Sequence, residues 1–469
     1  MSDTRPILIW FRHDFRLRDN AAITAAIQSR NPVICFYIQE SADAKTENAA
    51  DWWVAESLLA LNRQLKEKGG QLHLFEGDAE KIIPEIVQQS HACKLFWNRR
   101  YDFKGKETDQ ILKKSIRAMG LEVQSFPNNL LNEPWTVKND KGQPFRIFSA
   151  YWRAVQRHMN IQAVLPCPEN WVFSTREIRH CLGYKDIAIL AKETQDSSWK
   201  IKLKQSHRFG ENEAHERLKS FIENDLAHYA KERDFPAKDG TSLLSAFLRS
   251  GQISSKQIWH EVTKNGSGEG TSKFLAELGW REFAWSVLWE HPDLNQRNLR
   301  PEFDKMPWEK ASDNLQRWKE GQTGYPFIDA GMRALWQTGF MPNRLRMVTA
   351  SFLVKHLLID WREGEKWFAQ TLVDYDPACN ATNWQWVAGS GIESAPYFRI
   401  MNPILQSQKF DPDGQYIREW VKELADVSTA FIHTPWKADK QPANYPLPII
   451  AHEEGRDRAL RAWKEIRHA

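Results

Sequence analysis

DYDPACNATNWQWVAGSGIESAPYFRIMNP, residues 374–403, brings together two aspartates (Asp374, Asp376), Asn380, the pair Trp384 and Trp386, a Gly-Ser-Gly turn and Arg399. Two residues apart, the indoles diverge if the segment is helical and share a face if it is extended. Large π faces, a neutral amide and acids so close together suit a flat polar ligand, or a buried aromatic knot beneath a turn. Just upstream lies MPNRLRMVTASFLVKHLLIDWREGEKWF, residues 341–368. Pro342 suits the first turn of a helix, where its missing N–H costs nothing, and Asn343, Arg346 and Met347 follow at three- and four-residue spacings. A methionine at such a position is ordinarily core filler.

Further out, TSKFLAELGWREFAWSVLWEHP (271–292) reads as one helix, capped by Thr or Ser and stopped before Pro292. Glu277, Trp280 and Arg281 share a face of it, as a surface ion pair beside a core indole or as the wall of a site. FPAKDGTSLLSAFLRSG (235–251) supplies a turn and then Thr241, Ser242 and Ser245 around a helix start. Hydroxyls and exposed N–H groups there make an anion site fit for a diphosphate, and an ordinary N-cap accounts for only one of the three. ENEAHERLKSFIENDLAHYAKERD (211–234) is strongly amphipathic, and from Ser206 onward helical patterns dominate.

The N-terminal part differs. ILIWF (7–11), VICFYI (33–38), QLHLFEG (71–77), CKLFWN (93–98) and LEVQSF (121–126) read as buried parallel strands. They alternate with amphipathic stretches such as WWVAESLLALNRQLKEKG, so the expected fold is α/β: a doubly wound, Rossmann-like parallel sheet followed by an all-helical domain. No G-x-G-x-x-G follows the first strand. The loop there, RHDFRLRDN, carries Arg12, Arg16 and Arg18 and reads as an anion site or, more simply, as a solvated, salt-bridged loop. Residues 131–205 lack sustained periodicity apart from FSAYWRAVQRHM (148–159), a short helix, and read as a connector between a sheet domain (1–130) and a helical domain (206–469).

Composition narrows the function. With 469 residues, 42% hydrophobic and 26% charged, the chain describes a multidomain globular protein. It has no apolar run of membrane-spanning length and no signal-peptide pattern, which places it in the cytoplasm without a membrane partner. Five scattered cysteines with no C-x-x-C pair argue against disulfides and a zinc site. A net charge of +4 confines any nucleic-acid surface to a local patch. The 22 tryptophans exceed what cores ordinarily need, since each brings an N–H that must be satisfied.

From IWFRHDFRLRDN (9–20) to KFDPDG (409–414), the motifs closely resemble those of the DNA photolyase/cryptochrome family across nearly the whole chain, most like the class I cyclobutane pyrimidine dimer photolyases. The resemblance implies light-driven repair of UV-damaged DNA by electron transfer from excited, reduced, anionic FAD to a flipped-out dimer. It assigns FAD to Tyr229, Thr241, Ser242, Leu243, Leu244, Ser245, Phe274, Arg281, Arg346, Asp374, Asp376 and Asn380. Leu243 stands where relatives often carry Arg. It assigns the lesion to Glu277, Trp280, Asn343, Met347 and Trp386, and an electron path from flavin to surface to Trp384, Trp361 and Trp308. DNA contacts fall to Arg233, Arg344, Arg399 and Gln406. Asp374 is expected to pair with Arg346, and Asn380 to face flavin N5 as a neutral amide.

A second, antenna chromophore is implied as well: folate, a deazaflavin or FMN. In WNRRYDFKGKETD (97–109), Lys104 and Gly105 replace the Asn-Glu pair of folate-binding relatives, which weakens folate at that site. No metal and no protein partner are implied, and the protein is expected to be a monomer. The rivals are a (6-4) photolyase, which uses a pair of histidines for acid–base chemistry at the site where Pro342, Asn343 and Met347 cannot transfer protons, and a cryptochrome without repair. The short chain after Trp436 and the presence of Trp386 favour repair.

Overall fold

A strand covered on both faces needs apolar side chains at every position, and Ile7–Phe11 (β1) has them: all five are buried. In the computed structural model, which describes residues 4–40, 48–158, 161–310, 313–393 and 398–468, β1 lies mid-sheet. Val33–Gln39 (β2), Leu72–Glu76 (β3), Lys94–Asn98 (β4) and Glu122–Phe126 (β5) run parallel to it in the order β5-β4-β1-β2-β3. Ile7 pairs with Val33 on one side and Lys94 on the other. Alternate residues serve two cores, Leu8 and Trp10 with Ile34 and Phe36, and Ile7, Ile9 and Phe11 with Val33 and Cys35. Helices Ala21–Gln28, Ala49–Glu67, Ala79–Ser90 and Phe103–Ala118 begin on the side chains of Asn20, Asn48, Asp78 and Asp102, each accepting a first-turn N–H. This is the doubly wound sheet expected.

The segment read as a surface connector contributes more than expected. Tyr184–Lys185 (β6) adds an antiparallel edge strand, pairing with Phe75 and Leu74 of β3. Two residues are too few to produce a period, which is why the sequence hides it. Phe148–His158 is helical as expected, and Met159 of that stretch lies outside the described residues.

In the loop RHDFRLRDN, Arg18 is exposed as a solvated loop would have it, whereas Arg12 and Arg16 are buried and committed to partners within the protein. Arg12 is buried in a 2.7 Å ion pair with Asp109, and Asp14 accepts from Asn98 at 2.6 Å. Arg16, also buried, donates to the Asp19 and Gly251 carbonyls at 2.8 and 3.0 Å. Leu17 and Arg18 give their backbone N–H groups to the Glu211 carboxylate at 2.8 and 3.0 Å. Donors buried this deeply need partners, and the loop finds them in its own domain, at Asp19 and Asp109, and in the helical half, at Glu211 and Gly251.

That half holds the long helix Gly268–Glu290, then Asn343–Ser351 running into a π-helical turn Phe352–His356, then Trp361–Thr371, Pro377–Ala388 and Pro403–Phe410. The long helix starts three residues before Thr271, and Pro342 sits at the N-cap, one place ahead of the first turn expected for it. The 211–234 stretch breaks into Glu211–Asn224 and the single turn Tyr229–Glu232. Among the described residues no helix is long and apolar enough to cross a membrane.

Gly251 ends the Ser245–Ser250 helix at φ +70°, where a Cβ would collide with the His13 carbonyl and stand 2.6 Å from the Asp14 Cα. Gly251→Ala should therefore destabilise the protein by about 2–4 kcal/mol through overpacking and the left-handed backbone. Gly142→Ala, at φ +72° with open space around it, should cost only about 1 kcal/mol. Denaturant unfolding of the two variants checks the difference.

Candidate active site

Asp376 is the N-cap of Pro377–Ala388, its Oδ1 accepting from the Ala378 and Cys379 N–H groups at 3.0 Å. Oδ2 accepts from Trp285 Nε1 at 3.1 Å and lies 3.9 Å from Arg281 Nε. Asp374 and Arg346 do pair, at 2.8 and 3.0 Å, and Arg346 Nε donates to the Met341 carbonyl at 2.7 Å. One turn into the helix, the Asn380 Nδ2 group donates to the backbone and side chain of Glu365 at 3.1 and 3.0 Å. Its Oδ1 thus remains to accept. Because the segment is helical, Trp384 and Trp386 diverge, the first buried and the second half-buried.

Thr241, Ser242 and Leu243 line the entry to the Ser245–Ser250 helix, which has no side-chain cap. Leu243 is held at φ +50°, a region that branched, bulky residues seldom occupy and that is characteristic of ligand sites. Ser242 Oγ accepts weakly from Leu244 N–H at 3.4 Å. Leu244 is buried and Ser245 exposed. Tyr229 and Phe274 meet edge to face at 5.3 Å. Arg281 is more anchored than expected, donating to the Asn129 carbonyl at 2.7 Å and to Ser255 Oγ at 3.3 Å.

Glu277 faces Arg233, with which it makes a close ion pair, and Lys273 at 3.1 Å. Arg344 pairs with Asp234 at 2.5 Å. Asn343 is exposed and donates to Met347 Sδ at 3.7 Å on the same face. Trp280 was expected to stack on bases, yet Phe148 already covers one face, with centroids 3.8 Å apart and planes at 12°. Between Trp280 and Trp386 lies a crevice of about 10 Å³, bounded by Thr382, Asn383 and Ile392. Beyond Trp386 opens a cavity of about 160 Å³ walled partly by Lys355, Phe398, Arg399 and Arg467. Arg399 is exposed next to residues 394–397, which lie outside the described residues. Gln406 is half-buried with Oε1 unpartnered.

Trp384 and Trp361 are buried in one core cluster against which half-buried Trp308 packs. The rings meeting Trp384 are Trp318 at 6.3 Å and Phe368 at 5.0 Å. Lys104 and Asp102 join an ionic cluster with Arg100 and Glu40. Among the described residues no three His, Cys, Asp or Glu side chains gather as a metal site.

Residues 7–169 match the model of the DNA photolyase domain, and 274–465 match the FAD binding domain of DNA photolyase. A deoxyribodipyrimidine photo-lyase of Agrobacterium fabrum is 41% identical over 99% of this chain and 98% of its own. The chain belongs to the DNA photolyase family. Cryptochrome-2 of Arabidopsis thaliana is 33% identical over 100% of this chain and 80% of its own. The solved structure of a bacterial class III photolyase from Agrobacterium tumefaciens superposes with a TM-score of 0.94, at 41% identity, covering 100% of this chain and 98% of that one.

The residues present fit the FAD of this family. Uncapped N–H groups, hydroxyls at Thr241 and Ser245, and the strained Leu243 suit a diphosphate. Arg346, Asp374 and the Asn380 carbonyl supply polar partners for a ring. Reading the sequence missed four residues that contact the expected site residues: Phe148 at Trp280, Glu365 at Asn380, Asp234 at Arg344 and Glu282 at Arg281. Asp234, beside Arg233, offered a signal in its charge; Phe148 and Glu365 offered none, being distant in sequence from the groups they hold.

Glu282 is fully buried beside Arg281, accepting from Asn132 N–H at 3.0 Å, and burial pushes its carboxyl up to about 7. A raised acid favours the folded state while protonated, so this stability is present below the unfolded carboxyl range and lost as pH rises toward 7. The loss amounts to about 3 kcal/mol in total. Glu282→Gln should flatten the fall in stability between pH 5 and 8, read by urea unfolding at each pH.

Proposed function

We propose that this photolyase repairs cyclobutane pyrimidine dimers in DNA under light. The reading rests on the first turn of the Asn343–Ser351 helix, where Pro342, Asn343 and Met347 present an amide and a thioether and no group that transfers protons. A (6-4) product needs proton transfer there; a cyclobutane ring needs only an electron. The name of the 41% relative supports the same reading, and the Agrobacterium structure that is similar to this chain is described as a class III photolyase.

Bound FAD supplies the light-absorbing centre and the electron. The protein's part is placement. Thr241, Ser242, Leu243, Leu244, Ser245, Tyr229 and Phe274 would hold the cofactor, with the uncapped helix start taking its phosphates. Arg346, fixed by Asp374, sets a positive charge beside the ring, and Asn380, fixed by Glu365, accepts a hydrogen bond without offering an acidic proton. Arg233, Arg344, Arg399 and Gln406 grip the strand, giving a salt-dependent affinity with little sequence preference. The dimer flips toward Trp280 and Trp386, whose crevice widens to admit it. Glu277 accepts an N–H from its polar edge. An antenna chromophore, as folate, deazaflavin or FMN, sits away from the ion-paired Lys104 cluster.

Trp384, Trp361 and Trp308 carry electrons inward from a reductant in solution. Trp308→Phe should greatly slow light-driven bleaching of the oxidised flavin band by an external thiol, while repair by protein already reduced chemically continues. Normal bleaching in this variant would assign the surface end to another tryptophan.

Separate duplexes carrying one cyclobutane dimer or one (6-4) product, given to reduced protein under blue light, test the function itself. Repair of the cyclobutane substrate alone is expected. Repair of the (6-4) product alone would overturn the substrate, and repair of neither would favour a cryptochrome. Glu277→Ala should lower repair per bound lesion more than it lowers binding, because its hydrogen bond strengthens once the dimer gains charge.

A further inference from the structure

Around the lesion side of the site, five charges alternate in sign along a connected row. Lys273 Nζ lies 3.1 Å from Glu277, Glu277 pairs closely with Arg233 Nη1, Arg233 Nε lies 3.9 Å from Asp234, and Asp234 Oδ2 accepts from Arg344 Nη2 at 2.5 Å. The row is bracketed by rings: Arg233 lies 5.2 Å from the Tyr229 centroid and Arg344 4.3 Å from that of Phe410. The two guanidiniums are largely buried, with side chains 8% and 16% exposed, whereas Asp234 is 25% exposed at the rim. Arg344 Nε is buried with no hydrogen-bond partner, so its planar fork is only half used.

A phosphodiester oxygen pair matches the carboxylate in charge sign and in the geometry a guanidinium prefers. Asp234 therefore holds Arg344 and Arg233 in the arrangement a backbone phosphate would take over. We infer that Asp234 is a positioning residue that stands in for a DNA phosphate, and that its displacement loosens Arg233 from Glu277, so that damaged DNA is preferred over undamaged. The inference rests on the photolyase reading above.

The discrimination follows from what each DNA returns to the row. Any duplex can offer phosphates to Arg344 and Arg233. Doing so displaces Asp234 and draws Arg233 off Glu277, leaving the Glu277 carboxylate unpaired beside the phosphate, a repulsion that is avoided where residue 234 carries no charge and Arg344 can take a phosphate with the Arg233–Glu277 pair intact. Only a strand that flips a lesion into the crevice brings N–H donors that Glu277 can accept from, offsetting that cost. Undamaged DNA bears the repulsion without compensation.

The test uses the flavin-loaded full-length protein and duplexes that are identical except for one cyclobutane dimer, with affinity read by fluorescence anisotropy at several salt concentrations. Asp234→Asn should tighten binding to undamaged duplex about tenfold and to damaged duplex much less, so the preference narrows by about that ratio. The dependence on salt should steepen by about one unit in the log–log slope, since one more cation is available to phosphate. Asp234→Glu, which keeps the charge, should restore the wild-type preference. A structural role would lower both affinities in parallel and would not be rescued by charge. An unchanged ratio in Asp234→Asn, parallel weakening, or loss of flavin by both Asp234→Asn and Asp234→Ala overturns the inference. Wild-type protein that fails to distinguish the two duplexes would instead overturn the photolyase reading.

Discussion

One buried carboxylate, Asp376, fixes the geometry on which the site depends. It caps the helix that carries Asn380, Trp384 and Trp386 and at the same time accepts from Trp285 on the long helix that carries Glu277, Trp280 and Arg281. The backbone donors at the helix start and the indole N–H cannot find water at that depth, so each would be costly unpaired. Satisfying three donors with one group leaves little freedom in how the two helices cross. The divergence of Trp384 and Trp386 is a second consequence: once the cap sets the helix, one indole belongs to the core and the other to the crevice.

The site is built by pairing groups on different elements, and the pairs differ in what they do. Arg346 with Asp374 and Asn380 with Glu365 are anchored on buried carboxylates and specific, holding one orientation of each side chain. The carboxylates of Glu277 and Asp234 reach solvent, and their pairings with Arg233 and Arg344 are exchangeable because an anion or donor of the right shape can replace a member. Rigid pairs suit a resident group; exchangeable ones suit a partner that arrives and leaves.

Much of this was legible from local pattern. Continuous apolar runs at 7–11, 33–38 and 93–98 announce strands buried on both faces, and the observed register follows from them. The spacing of Glu277, Trp280 and Arg281 predicts a shared helical face, and the Arg346–Asp374 pair was expected from resemblance and is present. What the sequence concealed is non-local. β6 is too short to carry a period, Phe148 reaches Trp280 from a stretch without a motif, and Arg12 and Arg16 of the first loop look solvated until Asp109 and Gly251 are brought to them. Charged residues in a loop ordinarily face water, so only the fold reveals these as buried.

That first loop also bears on the history of the chain. Phe15 N–H bonds to the Ser250 carbonyl, Asp19 meets Ser254 and Lys256, Trp53 donates to Ser250, and Gln252 donates to Ser57. Each half thus completes the other's buried polar groups at the segment just beyond Thr241–Ser245. Neither half carries a surface that could close over the gap left by its neighbour, because the exposed groups would be backbone donors and charged side chains matched to one partner. The two halves must therefore be inherited together: shuffling one onto a foreign partner would lose the seam before any chemistry could be selected.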